Sequence, residues 1–476
     1  MRAWFTIAAK EWLDVRRDKR LRLLAALVLV LMLCALAFGA DKAHRQSHAH
    51  AAASLTDRLI WESQGAKDPH AAAHFGQYVF TQTGPLALAD PGVQPYTGSA
   101  LWLEAHRQNE LQFSAARDAG LSARFASLSL AFMVQTVLPL VVILLGFAAF
   151  SGERERGTLT QLMGLGCRSV TLLAGKGLGL VVQLAVLLAP VCLIVVVTVF
   201  WAGEGASTPV GNSLLRLALA VLGYALYLGG FVALTLAASA WFRHSRVALV
   251  VLLAFWLLNC FVASRVASDL AQAQTPLPSA QMFRSAVAQD KRKTFGHDPQ
   301  HPAYIAFQAE VLQTYGVQRL EDLPVNFRGL LPRRDDENGY RIFDKHVAAL
   351  REGLNQQDRQ RALAGPLFPM LALQPFSMGL AGTDNAHQFH FATAAEAHRR
   401  LIQNMVSDDL THNSRYGDKT YRADAQLWAR IPEMAYQMPG AAWALKAQAQ
   451  NLLSLLAWCV AASVLAVVAA HRMRPL

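Results

Sequence analysis

The sequence predicts an all-α polytopic membrane protein: six transmembrane helices plus a mainly helical periplasmic domain built from two insertions. Three observations predict it. Of 476 residues, 53% are hydrophobic and only 16% charged, against roughly a quarter charged in a soluble domain. Six apolar runs reach about 20 residues, enough for a helix to cross hydrocarbon with every backbone group bonded internally. Two long polar segments lie between them, with enough Leu, Phe, Tyr and Trp to build a core together.

In chain order, residues 1–20 (MRAWFTIAAKEWLDVRRDKR) place Trp4, Ala8, Trp12 and Val15 on one helical face, with Arg16 and Arg17 away from its centre. That is the pattern of an interfacial amphipathic helix resting on membrane lipid. The spans fall at 21–40, 127–150, 176–201, 213–241, 246–264 and 449–470, and the polar segments at 41–126 and 265–448. The first run is too long for a cleaved signal peptide, and Phe38 spoils a small-residue cleavage pattern, so a signal anchor is expected. Bulky Met32 and Leu33 before Cys34 argue against a lipid anchor.

Charge sets the orientation. The N-terminal stretch has a net excess of four cations, and 151–176, 241–246 and 471–476 have two each, while the loop 202–212 has none. Both termini are therefore expected in the cytoplasm and both polar segments on the outer side of the membrane. These segments hold ten of the eleven net positive charges, so the basic character signals topology and no nucleic-acid partner is called for. Cys34, Cys192, Cys260 and Cys459 fall in spans and Cys167 in an inside loop, leaving the outer segments without disulfides.

The spans carry no Asp, Glu or His between their ends, which disfavours ion-coupled transport. Arg22, Lys176, Arg216 and Arg246 stand near span ends and read as anchors that snorkel to headgroups. LLAGKGLGL (172–180) lacks the first glycine and the Ser or Thr of a phosphate loop, so the chain is not expected to bind ATP or to be an enzyme. Energy must enter from outside the spans. The segment 151–175 opens SGERERGTLTQL: Glu153, Arg154, Glu155 and Arg156 follow directly on an apolar run, and Leu159, Leu162 and Met163 then make the chain amphipathic. A short helix here would offer Glu153 and Glu155 to a cationic groove of a soluble partner; the plainer reading is a solvated turn.

The run Glu153, Arg154, Glu155, Arg156, Gly157, Thr158, Leu159 after the second span resembles the loop and coupling helix of type-2 ABC transporter permeases (the ABC-2 superfamily), as does the interfacial helix with Trp4, Trp12, Arg16 and Arg17. EDLPVNFRGL (321–330) and LQPFSMGLAGTDNAHQFHFATAAEAHRR (373–400) resemble a bacterial subfamily with a large periplasmic domain before the last span, a resemblance that makes the outer side the periplasm of a bacterial inner membrane. The resemblance implies a second permease subunit, as homo- or heterodimer, and two copies of a cytoplasmic ABC ATPase. That partner would bind ATP and Mg, with no cofactor in this chain. It also implies a pathway at the subunit seam, with Gln135, Thr136 and Asn259 as candidate lining residues, or alternatively as interhelical glue. Pro139 and Pro190 mark kinks.

The polar segments read as helices over 341–364 and 391–410, broken by GHDPQHP (296–302) and LPRRDDENG (331–339). They hold thirteen of fifteen histidines, including the i, i+4 pairs His44 with His48 and His70 with His74, which are weak metal candidates without visible further ligands. Three functions compete: an exporter permease, a mechanotransmitter that drives a periplasmic partner without transport, and a permease for metal-enzyme maturation.

Overall fold

A computed structural model describes residues 3–118, 128–202, 208–294 and 298–473. The first residue of the second predicted span, residues 203–207 of the loop 202–212, part of the breaker at 296–302 and the last three residues lie outside them.

Helix α1 (Ala3–Arg17) and helix α2 (Lys19–Glu62) meet at Asp18, whose carboxylate accepts from the amides of Arg20 and Leu21 and caps α2. At 44 residues, α2 is ~66 Å long, about twice the hydrocarbon thickness. The predicted span 21–40 thus falls within a longer helix that continues as a stalk through residue 62. Trp61 pins its far end: it is buried, its indole donates to Trp428 O (3.2 Å), and the two rings meet edge to face at 5.8 Å.

After α3 (Pro69–Ala73) comes a small antiparallel sheet, β1 (Gln77–Phe80), β2 (Ala100–Glu104) and β3 (Arg107–Gln108), in that order, with Gln77 opposite Leu103 and Glu104 opposite Arg107. The sequence predicts a mainly helical segment here, and these strands depart from it. QYVF alternates buried and half-buried positions, as a strand with one covered face does.

The bundle follows: α4 (Leu130–Glu155), a short α5 (Thr158–Gly164), α6 (Ser169–Ala202), α7 (Val210–Trp241) and α8 (Ser245–Gln274). The polar insertion then contributes α9 (Ala280–Arg292), α10 (Pro302–Tyr315), α11 (Phe327–Ala362), α12 (Met370–Ala381), α13 (Asn385–Asn413), α14 (Ala425–Arg430) and α15 (Ala441–Ala447), before α16 (Ala449–Arg472). Six of the described helices, α2, α4, α6, α7, α8 and α16, are long and apolar enough to cross a membrane. The fold is an all-α polytopic membrane protein.

The expected break at 331–339 is absent, because α11 runs through Pro332 and Gly339. Pro332 lies inside the helix and gives up one backbone bond there, and the charges meet partners on neighbouring elements: Arg333 pairs with Asp408, Arg334 with Glu310 (2.7 Å) and Asp336 with His106 (2.8 Å). Helix α12 also departs from its reading as purely extramembrane. Its Leu373, Phe376 and Leu380, all fully buried, share the core of the bundle with Tyr227, Phe231 and Trp458. The insertion end of the bundle is thereby closed by the extramembrane domain, and the opposite end carries α1 and the 151–168 loop.

Candidate functional site

Three of the charges at the end of α4, Glu153, Arg154 and Glu155, are placed by a helix end or an ion pair. Phe150 and Ser151 donate their amides to Ser239 Oγ (2.9 and 3.2 Å), which fixes the chain as it leaves the bundle. Arg154 then donates to Phe242 O (2.8 Å) and Ala240 O (3.0 Å), carbonyls at the C-terminus of α7. Glu155 accepts from Ser245 N (2.8 Å) and Ser245 Oγ (3.0 Å) at the N-terminus of α8. A cation at a C-terminus and an anion at an N-terminus answer both the orphan backbone groups and the helix dipole.

Glu153 turns inward, contrary to the expectation that it would face a soluble partner. It is 6% exposed, and its Oε1 accepts from Lys176 Nζ at 2.8 Å. Lys176 is 3% exposed and also donates to Glu11 Oε1 at 2.8 Å, so it is no headgroup anchor. Glu11 belongs to α1, Glu153 to the end of α4 and Lys176 to α6, and one ammonium therefore ties three elements together. Lys10 adds to the node through Asp14 (3.0 Å) and, at 3.9 Å, Glu153; burial lowers the Lys10 pKa, but the hydrogen bond to Asp14 and the charges of Glu11, Asp14 and Glu153 leave it raised.

The glycines of the failed phosphate loop explain how α1 gets there. A Cβ on Gly175 would sit 2.6 Å from Ile7 Cβ, and one on Gly179 would sit 2.8 Å from Glu11 Cβ. Glycines four apart open a groove on α6 into which α1 settles. The face carrying Trp4, Ala8 and Trp12 is half-buried or buried on the protein, while Arg16 and Arg17 stay exposed and the Arg16 guanidinium lies 6.0 Å from the Trp12 ring centre. A small-x-x-x-small spacing was the available signal.

Beyond the charges, Gly157 adopts φ +73°, a left-handed turn with open space around its Cβ position, so the constraint is conformational. Thr158 Oγ1 donates to Glu153 O (3.1 Å) and Leu159 is fully buried, which clamps α5 against the bundle. The other side of this loop faces out: Arg156 and Gln161 are exposed, and Leu165, just past the end of α5, is 85% exposed.

Gln135, Thr136 and Asn259 are brought together, on two π turns, Met133–Val137 in α4 and Leu258–Val262 in α8. All three are buried. Tyr227 OH donates to Gln135 O (2.7 Å), Trp256 Nε1 to Thr136 O (2.9 Å), Asn259 Nδ2 to Tyr227 OH (3.3 Å) and Met370 N to Asn259 Oδ1 (3.1 Å). In this conformation they hold helices together, the bonds that a π turn releases being taken up by neighbours. Gln135 also donates to Tyr224 OH (3.0 Å), which bonds Ser377 Oγ (2.7 Å), and Ser377 donates to Asp90 Oδ2 (2.5 Å). Burial raises the Asp90 carboxyl pKa, opposed by Ser377 and the Gly92 amide. This chain borders an apolar cavity of about 380 Å³ whose walls include Val134, Leu184, Leu188, Leu217 and Leu228.

Arg216 is the second misread cation. Near the insertion end of α7 and 3% exposed, it donates to Gly379 O (3.2 Å), Leu380 O (2.9 Å), Pro439 O (2.6 Å) and His387 Nε2 (3.2 Å). Asp384 accepts from His387 Nδ1 at 2.6 Å, which fixes the tautomer that presents Nε2 to the arginine. The segment 373–400 supplies most of this socket. His44 and His48 lie ring to ring at 4.3 Å on exposed turns of the α2 stalk; His70 and His74 stand 4.9 Å apart at the start and end of α3.

A family model described as ABC-2 family transporter protein matches residues 5–324, and one described as a domain of unknown function (DUF3526) matches residues 280–437, a range that takes in both recurring extramembrane segments. No curated protein matches the chain.

Proposed function

The chain belongs to the ABC-2 transporter family, as a membrane-embedded permease component distinct from the ATPase, and on that premise we propose that it couples ATP hydrolysis by a cytoplasmic ABC ATPase to export through the membrane. Two ATPase copies, carrying ATP and Mg, would serve a pair of permease chains in a bacterial inner membrane, with both termini cytoplasmic and the large domain periplasmic. One observation carries this reading: residues 153–155 engage the ends of α7 and α8 and, through Lys176, both α1 and α6. A push on α5 therefore reaches four helices at once. The docking face is the exposed side of this loop, with Leu165 as its apolar contact and Arg156 and Gln161 around it. The cavity beside α6 and α7 suits the apolar body of an amphiphile, with the Asp90–Ser377–Tyr224 chain to meet its polar part.

Leu165→Asp should lower co-purification of the cognate ATPase from nanodiscs by tenfold or more, since a buried apolar anchor at an interface is worth about 2 kcal/mol. Unchanged association with this variant would remove α5 from the interface. The mechanotransmitter reading has its own support in Arg216, which joins α7 to the extramembrane domain so that any motion of α7 would be passed on to that domain.

A further inference from the structure

The two polar insertions meet at three imidazoles. We propose that His70, His74 and His106 form a binding site for a divalent transition-metal ion of the zinc class, with α11 of the second insertion orienting one of the three ligands through Asp336. Their ligand nitrogens all lie within 4.8 Å of one another, and His106 stands 5.2 Å, ring centre to ring centre, from each of the other two. Each histidine is placed separately. Asp68 caps α3 by accepting from His70 N (2.9 Å), and the i, i+4 spacing sets His74 one turn on, on the same face. His106 sits in the tight turn between β2 and β3 with φ +58°, a left-handed conformation uncommon outside glycine, and Lys291 holds its carbonyl at 2.7 Å.

Asp336 is the second, independent observation. It reaches across from α11, 5% exposed, with its Oδ1 2.8 Å from His106 Nδ1. With the proton on Nδ1, Nε2 keeps its lone pair for an ion, the carboxylate–histidine arrangement that orients metal-binding imidazoles. Three neutral imidazoles suit zinc, nickel or copper rather than the oxygen-seeking calcium and magnesium. A tetrahedral ion with ~2.0–2.1 Å bonds would draw the nitrogens to about 3.4 Å apart, which takes ring rotations of about an ångström and leaves a fourth position for water. His74 is exposed and gives an ion its entry, whereas His70 and His106 are half-buried. His44 and His48 form no such group among the described residues.

The test uses the full chain in nanodiscs, stripped with chelator and titrated with Zn(II) by calorimetry, with Co(II) absorption to report the ligand field. One ion per chain and a four-coordinate Co(II) spectrum are expected. Asp336→Asn should weaken Zn(II) binding roughly 10–100-fold, His74→Ala and His106→Ala should each abolish the stoichiometric site, and the pair His44→Ala with His48→Ala should leave it intact. Because His74 is exposed, its variant reports on ligation even if His106→Ala misfolds. Absence of a one-to-one site, or one that survives His74→Ala with unchanged affinity, overturns the proposal. None of these readouts requires the ATPase.

Discussion

Lys176 and Arg216 are equally buried near opposite ends of the bundle, and they are held in different ways. Lys176 meets two carboxylates carried by separate elements, α1 and the end of α4. Arg216 meets three backbone carbonyls and one histidine nitrogen, all from the segments around 379–387 and 439. A compact ammonium with three rotatable donors can exchange one carboxylate for another as helices shift, but a planar guanidinium forked onto carbonyls is committed to one geometry. The first arrangement suits a joint that transmits displacement, and the second suits a weld.

If Arg216 is a weld, its removal should have the largest effect. Arg216→Met strands three buried carbonyls, and losing hydrogen bonds from a charged donor costs roughly 1.5–3 kcal/mol each before relaxation. Thermal unfolding in nanodiscs should show early loss of the extramembrane domain, and Arg216→Lys should not restore it because an ammonium cannot span the same fork. Near-normal melting of either variant would erase the contrast between the two ends.

A smaller effect is expected at the joint's seat. Gly179→Leu must displace Glu11 and so lift α1 from α6, at a cost of about 1–3 kcal/mol for overpacking. A cysteine at Ile7 should then react faster with thiol reagents, while the extramembrane domain melts as before. Equal reactivity in both backgrounds would mean that the groove does not hold α1.

The smallest effect separates the ends by pH. Burial lowers the pKa of His398, with the Arg58 charge adding to it, and burial likewise lowers that of His390, with His387 and Arg351 contributing. The unfolded chain therefore takes up protons first: the stability these groups provide is complete above about pH 6.5 and is lost as pH falls through their lower folded values. The extramembrane domain should melt at lower temperature at pH 5 than at pH 7, and His398→Leu should flatten that slope. An unaltered slope would remove His398 from the explanation.

Much of the fold was legible because it rests on local pattern. Apolar runs marked the six spans, periodicity marked α1, and Glu153 to Leu159 marked the loop where charge meets the bundle. What failed was pairing at long range. Lys176 and Arg216 looked like anchors because a span end says nothing of what lies opposite; Glu11 is 165 residues from Lys176, and Leu380 is 164 from Arg216. Gly175 and Gly179 stand in a run that resembles a phosphate loop, although their spacing is that of a helix groove. LPRRDDENG looked like a loop because its charges had no partners in view, and its partners Glu310, Asp408 and His106 come from other elements. The strand QYVF was too short to stand out beside the helices.

If the Glu11–Lys176–Glu153 node carries motion from the loop to the helices without itself being the docking surface, removing it should separate ATPase binding from ATPase stimulation. The direct measurement is ATP turnover by the nanodisc complex of the cognate ATPase with a Lys176→Met, Glu153→Gln chain, in which the stranded buried charge is removed along with the cation. The expected result is a folded permease that binds the ATPase at wild-type stoichiometry but stimulates turnover about tenfold less, ~1.4 kcal/mol of lost coupling. Wild-type stimulation from that folded double variant would contradict it.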